Sequence, residues 1–195
     1  FCNIVTSAQI NPNLFGFCTS NSFTYVNTYG TSFLSKVDGL SPKVLRFPGG
    51  TIGNFYHPKG EAYGFRVTDV EKYYKGRFSN RVHTLIHAAK QKEHVTDYID
   101  DFIILAKRYN SKVIVNANIL SSDTDEIIYI LNKFKDEGLE VIGVELGSEL
   151  SNRAYKKHIK SVFDYIQIAK SYSIHIKSVF PDMKVGVVAA PIKDK

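Results

Sequence analysis

The sequence predicts an α/β fold in which helices cover a parallel β-sheet. Short apolar runs end in polar residues or glycine, and segments with helical periodicity lie between them. Runs such as Val113-Ile114-Val115 are apolar at every position, which is typical of strands that are buried on both faces in parallel sheets. Strands that alternate with helices in this way are joined by right-handed crossovers.

Five strands are predicted, at residues 14–19, 44–47, 112–119, 141–146 and 184–190. The second strand is unusual because Arg46 interrupts an otherwise apolar run. The run then breaks at Pro48-Gly49-Gly50, and proline followed by glycine is typical of a turn. The segment after this turn contains Thr51 and Asn54, so we expect a loop rich in hydrogen-bonding side chains.

Three clear helices are predicted from apolar residues at helical spacing. Their apolar positions are Ile99, Phe102, Ile103 and Ala106 in the first, Ile127, Leu131 and Phe134 in the second, and Tyr165, Ala169, Tyr172, Ile176 and Val179 in the third. The first begins at Thr96 or Asp97. Asp123 and Glu126 are spaced as a capping box for the second, which ends at Gly138. A weaker helix is predicted around residues 23–37.

One connection is much longer than the others. Residues 48 to about 95 separate the second strand from the next clear helix, with a short helix predicted near 81–92. So long a connection in a compact domain is usually functional or flexible. No linker or repeat divides the chain, so we predict one domain over residues 1–195 with an insertion at about 55–95. In this insertion, the side chains of Tyr56 and His57 are expected to serve the packing of the loop rather than chemistry.

Composition and motifs narrow the range of partners. The net charge is +6, but the lysines are scattered, which favours a solvated surface over nucleic-acid binding. No apolar run reaches the roughly 18 residues of a membrane span. No zinc-type spacing or phosphate-binding glycine loop occurs, so we predict neither a metal nor a cofactor. Cys2 and Cys18 could form a disulfide, but buried thiols are favoured because Cys18 lies in a predicted strand.

Polar residues cluster at the carboxyl ends of four predicted strands. In parallel α/β folds these ends meet at one face, where ligands bind. The residues are Thr19, Ser20 and Asn21; Arg46 with the loop that contains Asn54; Asn116 and Asn118; and Glu145, Ser148 and Glu149. Carboxylates, amides and a guanidinium together could bind a polyhydroxylated ligand.

Each of these residues also has a purely structural interpretation. Arg46 could pair with a structural carboxylate, and Asn116 and Asn118 could cap the turn after their strand. Glu145 lies deeper in its strand, which favours a buried salt bridge over catalysis. Glu149 could simply occupy a helix start, where the dipole favours a carboxylate.

Two segments carry a resemblance to a known group of enzymes. LRFPGG (45–50) and VIGVELGSEL (141–150) resemble paired strand ends of clan A glycoside hydrolases. The similarity is to the α-L-arabinofuranosidase, β-glucuronidase/heparanase and β-xylosidase groups, whose fourth strand ends in a Glu-Leu-Gly-Asn-Glu-like motif. The segments at 13–22 and 163–187 resemble the first strand and the helix that leads to the fifth strand. Residues 60–95 are the part that the resemblance does not cover.

The resemblance implies a (β/α)8 barrel of the TIM-barrel type, with about the first five βα units in this chain. It also implies retaining glycoside hydrolysis, with Glu149 as the general acid/base. The nucleophilic carboxylate would come from a seventh strand that has no counterpart here, and Arg46 would keep that group ionised. Sugar-binding roles would fall to Arg46, Asn54, Asn116, Asn118 and Ser148. Ser148 stands where the family has asparagine, and because serine is shorter, the contact with sugar would be lost, altered or bridged by water.

Further expectations follow from the same resemblance. The partner would be a carbohydrate, the open barrel edge could associate with another chain, and the location would be secreted, periplasmic or at the cell surface. Tyr56, Tyr63, Tyr73 and Tyr74 could stack on sugar rings, but packing is favoured. Two alternatives remain: a glycosidase-like protein that binds sugar without hydrolysing it, and an unrelated small-ligand-binding α/β domain. Strand order 1-2-3-4-5 would indicate the barrel, and order 2-1-3-4-5 the unrelated domain.

Overall fold

The computed structural model describes residues 10–19, 28, 30–60, 63–73, 80, 84, 87 and 97–189. Its strands are β1 (Gly16–Cys18), β2 (Val44–Phe47), β3 (Lys112–Ala117), β4 (Val141–Leu146) and β5 (Val185–Val187). They form a sheet in the order β1-β2-β3-β4-β5, and every neighbouring pair is parallel. The predicted parallel sheet and its sequential order are confirmed, and the doubly wound order is excluded.

The helices are α1 (Thr31–Leu40), α2 (Val67–Tyr73), α3 (Tyr98–Tyr109), α4 (Thr124–Asp136) and α5 (Val162–Val179), with short 3-10 helices at Pro12–Leu14, Gly50–Phe55 and Arg153–Tyr155. The three clear predicted helices are confirmed as α3, α4 and α5. α2 lies in the long connection and was not predicted. The helix predicted near 81–92 falls almost wholly outside the described residues, as does the first part of the weak helix at 23–37.

The starts of α4 and α5 are fixed by side chains. Asp123 accepts the Glu126 N–H at 2.9 Å, as predicted for the start of α4. The predicted capping box is only half formed there, because the Glu126 carboxylate contacts His57 rather than its own helix. α5 has a complete capping box, in which Ser161 and Asp164 each bond the other's backbone N–H.

The two faces of the sheet have different characters, because successive side chains of a strand point to opposite sides. The residues buried against the helices are Leu45, Phe47, Val113, Val115, Val144 and Leu146. Phe47 is fully buried, and its ring centre lies 5.2 Å from that of Phe134 in α4. The alternating positions Arg46, Asn116 and Glu145 therefore lie on the opposite face, which is the inner face of a barrel. The predicted site residues of β2, β3 and β4 share this face.

Cys18 differs from expectation. It carries a free and exposed thiol, so the prediction that it is buried is wrong. The physical reason is the face of the sheet on which its side chain lies. Cys18 pairs in register with Arg46, and its Sγ lies 3.7 Å from Nη1 of that residue on the inner face. Cys2 lies outside the described residues.

Apolar side chains are exposed at both edges of the sheet. In β5 and the helix α5 that precedes it they are Val162, Phe163, Ile166, Ile174, Val179 and Val187, and in β1, the residues just before it and the end of α1 they are Leu14, Phe15, Phe17 and Leu40. In the described ranges, no helix has the length and hydropathy that a membrane span requires.

Candidate active site

Arg46 and Glu145 form an ion pair on the inner face. Nε and Nη2 of Arg46 lie 2.6 and 2.5 Å from Oε2 of Glu145. Their side chains are 24% and 38% exposed, so water screens the pair in part. Burial alone lowers the pKa of Arg46, but the hydrogen bond and the charge of Glu145 outweigh it, and the Arg46 pKa is raised. The salt bridge favoured for Glu145 is thus observed, with Arg46 as its partner, but it is partly exposed and not buried as expected.

Glu149 lies beyond the carboxyl end of β4 and is exposed. Its backbone has φ +52°, a left-handed conformation that is uncommon for a residue with a Cβ atom. The Thr51 hydroxyl donates a hydrogen bond to Oε2 of Glu149 at 3.2 Å. Within the described part of the chain, Glu149 belongs to no ion pair. Its carboxylate is therefore accessible from the strand-end face.

Asn54 is directed at the β4 loop. The side chain is fully buried, its Nδ2 donates to the Ser148 carbonyl at 2.6 Å, and its Oδ1 accepts the Ser148 N–H at 2.8 Å. One amide thus bonds both polar groups of the residue that precedes Glu149. Ser148 itself is 8% exposed.

The two asparagines of the β3 end differ. Asn118 is 6% exposed, and its Oδ1 accepts the N–H groups of Leu120 and Ser121, which is a turn-capping arrangement. Asn116 donates to the Gly50 carbonyl at 2.9 Å. Its Oδ1 is buried and has no hydrogen-bond partner among the described residues. Asn116 thus has a free acceptor atom, whereas Asn118 caps the turn.

The long connection is held to the start of α4 by a buried histidine. His57 is fully buried, its Nδ1 lies 2.8 Å from Oε2 of Glu126, and its Nε2 lies 3.0 Å from Oδ2 of Asp69. Nε2 also lies 3.1 Å from the Ser121 hydroxyl oxygen and 3.2 Å from Nδ2 of Asn118. Arg66 contributes a cation to the same carboxylate, 3.1 Å from Oε1 of Glu126. The packing role expected for His57 is confirmed.

Tyrosines of the same connection are also buried. Tyr56 donates to Oδ1 of Asp97 at 2.7 Å, and burial, reinforced by that carboxylate, raises the Tyr56 pKa well above its usual value. Tyr63 and Tyr73 are 3% and 9% exposed, as the favoured packing interpretation predicts. Tyr74 lies outside the described residues.

At the end of the first strand, a side chain bonds the backbone of the neighbouring strand β2. Thr19 is buried, and its hydroxyl donates to the Arg46 carbonyl at 2.9 Å. Ser20 and Asn21 lie outside the described residues. In the part of the chain that the structure describes, no three His, Cys, Asp or Glu side chains are grouped as metal ligands.

The sheet and the site define a class of protein: a five-stranded part of a TIM-type barrel with polar groups at the carboxyl ends of its strands. Solved structures agree with this class. The α-L-arabinofuranosidase from Thermotoga maritima, in complex with arabinose, is similar with a TM-score of 0.54 and 17% identity over 82% of this chain and 33% of that one. The GH51 α-L-arabinofuranosidase from Thermotoga petrophila RKU-1 is similar with a TM-score of 0.55 and 18% identity, over 82% and 34%.

A GH51 arabinofuranosidase from Xanthomonas axonopodis pv. citri is also similar, with a TM-score of 0.54 and 15% identity, over 96% of this chain and 39% of that one. This chain therefore spans between a third and two fifths of the length of these glycosidases. At such low identity the similarity is one of fold. In sequence, neither a protein-family profile nor a curated protein matches this chain.

Proposed function

We propose that this chain carries the acid/base part of a retaining glycoside hydrolase, with Glu149 as the general acid and base. The supporting observation is the Glu149 carboxylate: it is exposed at the carboxyl end of β4, and its backbone φ is +52°. Unfavourable backbone conformations in folded proteins cluster at functional sites. Structural neighbours that are glycosidases support the same class of reaction.

In the proposed reaction, Glu149 protonates the glycosidic oxygen as the bond from that oxygen to the anomeric carbon breaks. A second carboxylate, about 5–5.5 Å away, attacks the anomeric carbon and forms a glycosyl-enzyme ester. Glu149, now ionised, then removes a proton from water, which displaces the ester. Glu145 is not proposed as the nucleophile, because its carboxylate is paired with Arg46. The resemblance assigns the nucleophile to a strand beyond β5.

Thr51 donates to Oε2 of Glu149, which leaves Oε1 to carry the catalytic proton. Asn116 is proposed to contact sugar, because its buried Oδ1 could accept a hydroxyl proton. Arg46, Asn54, Asn118 and Ser148 are proposed to support the site from within the protein, since each contacts protein groups. The substrate is proposed to be an oligo- or polysaccharide, with arabinofuranosides, xylosides and glucuronides as the first classes to test.

The test compares Glu149→Gln with the parent enzyme, using the full-length gene product and aryl glycosides of these three sugars. Without its acid, the enzyme should lose about 100- to 10,000-fold in kcat/KM on a substrate with a poor leaving group. Glycosylation by a dinitrophenyl glycoside should be nearly unchanged, because dinitrophenolate leaves without a proton. Azide should restore turnover and give a glycosyl azide, since this anion attacks the anomeric carbon in place of water, releases the enzyme carboxylate and needs no base.

Glu140→Gln is the matched control, because Glu140 is an exposed glutamate that precedes the same strand at its other end. This change should leave kcat/KM on both classes of substrate unaffected. Equal loss on both classes of leaving group, or full activity of Glu149→Gln on a natural glycan, would contradict the assignment. Sugar binding without any turnover by the parent protein would support the binding-only alternative.

A further inference from the structure

We propose that the 3-10 helix Gly50–Phe55 positions Glu149, with Asn54 holding its main chain and Thr51 holding its carboxylate. The inference rests on the proposed function, since it concerns how the proposed acid/base is held. It assigns to Asn54 and Thr51 a positioning role that acts through Glu149 rather than through sugar contact.

The first step is the pairing of Asn54 with Ser148. A side-chain amide has a donor and an acceptor side by side, so it can bond the N–H and C=O of one residue at once. Asn54 does this with distances of 2.8 and 2.6 Å. Ser148 directly precedes Glu149, so both hydrogen bonds fix the main chain where it enters the left-handed conformation at φ +52°.

The second step is the spacing of Thr51 and Asn54. In a 3-10 helix, side chains three residues apart lie on the same side. Thr51 and Asn54 are three apart in the 3-10 helix Gly50–Phe55, and both contact the β4 loop. The hydroxyl of Thr51 lies 3.2 Å from Oε2 of Glu149. One side of one short helix therefore holds the backbone and the carboxylate of the same loop.

The third step is that the 3-10 helix is itself fixed. Asn116 of β3 donates to the Gly50 carbonyl at 2.9 Å. A Cβ atom at Gly53 would lie 2.3 Å from Nδ2 of Asn116, so the helix packs directly against that side chain. Phe55 is fully buried at the other end of the helix. The helix therefore follows β2 directly and contacts both β3 and the β4 loop.

The test uses isosteric variants of the full-length protein. Thr51→Val removes the hydroxyl and keeps the shape, and Thr51→Ser restores the hydroxyl. Asn54→Asp keeps an acceptor for the Ser148 N–H but loses the donor to its carbonyl. We expect Thr51→Val to lower kcat on a poor-leaving-group glycoside about tenfold, as for one hydrogen bond to a charged group. Asn54→Asp should lower it up to about 100-fold, as for a misplaced catalytic group.

The diagnostic readout is how the loss of rate depends on the leaving group of the substrate. Both variants should keep kcat/KM on a dinitrophenyl glycoside, which reports the glycosylation step, within about threefold of the parent, because dinitrophenolate leaves without a well-placed acid. Thr51→Ser should recover most of the rate. Asn110→Asp is the control: Asn110 is an exposed asparagine that ends α3, and this change should leave both rates unaltered. Equal losses on both substrates, or no loss, would overturn the inference.

Glu149→Gln is measured in the same assay, so the two hypotheses fail separately. If Glu149→Gln lacks the leaving-group signature, the proposed function is wrong. If it has the signature and Thr51→Val and Asn54→Asp do not, only the positioning role is wrong. Crystal structures give a readout that is independent of activity. Asn54→Asp should move the Glu149 φ out of the left-handed region, and Thr51→Val should leave its carboxylate in more than one rotamer. An unchanged Glu149 in both would overturn the inference.

Discussion

Replacing Glu145 by Gln is expected to lower the free energy of unfolding by about 1–2 kcal/mol. Breaking a fully buried ion pair costs about 3–5 kcal/mol, and an exposed pair contributes about 0–1 kcal/mol. The Arg46 and Glu145 side chains are 24% and 38% exposed, which lies between these limits. Both nitrogen contacts go to a single oxygen of Glu145, so the pair lacks the added strength of two parallel bonds.

A double-mutant cycle measures this pair directly by urea unfolding of Arg46→Met, Glu145→Gln and the double variant. The two changes should be non-additive by about 1 kcal/mol or more, because the second removes no further attraction once the first is made. The control is Lys112 with Glu140, whose side chains are 37% and 62% exposed and whose closest atoms are 2.9 Å apart. The coupling free energy of this control pair should stay below about 0.5 kcal/mol. Additivity at Arg46 and Glu145 within about 0.3 kcal/mol would refute the reasoning.

Two further predictions concern backbone geometry and pH. Gly147→Ala should cost about 2–4 kcal/mol in urea unfolding, because φ is +84° and the new Cβ would lie 2.4 Å from Cδ1 of Leu150. Gly138→Ala, at φ +76° with no atom within 4 Å of the new Cβ, should cost about 1 kcal/mol; equal costs would contradict the steric argument. Burial raises the pKa of Tyr73 and Tyr172 to about 12, so the unfolded chain, with tyrosines near 10, loses protons first. The contribution of these two tyrosines to the free energy of unfolding should be complete below about pH 10 and fall between pH 10 and 12. Absorbance at 295 nm should reveal phenolates that form only with unfolding. Titration of every tyrosine near pH 10 in the folded protein would contradict this prediction.

Most of the strands and helices could be predicted from hydrophobic pattern, whereas the barrel was predicted from the family resemblance. β2 and β4 begin and end at the predicted residues, since both are flanked by strands and have apolar runs with clear breaks. The predicted strands were too long for the interior strand β3, where residues 112–119 give Lys112–Ala117, and at the sheet edges, where residues 14–19 give a three-residue β1. An edge strand has one neighbour, so apolar residues near its end need not join the ladder. Leu14, for example, belongs to a 3-10 helix.

Less of the site could be predicted, because its contacts join residues far apart in sequence. Spacing identified Arg46 and Glu145 as unusual strand residues, but their pairing depends on the register of three strands. Asn54 was expected to face sugar, and its contact with Ser148 depends on a 3-10 helix that the turn signal did not predict. Thr51 was missed as a site residue for the same reason. A polar residue three positions before Asn54 was the available signal.

The exposed apolar side chains of α5 give the last prediction. Phe163 and Ile166 are 77% and 46% exposed on one helix, next to β5, which has a neighbour only at β4 among the described strands. An unpaired edge beside an apolar face favours association. Residues 1–195 alone should therefore form concentration-dependent oligomers in sedimentation velocity. Phe163→Lys with Ile166→Lys should reduce association, because two buried charges would oppose it. Ile104→Lys, at an exposed isoleucine of α3, should not. A monodisperse, cooperatively melting monomer would contradict the prediction.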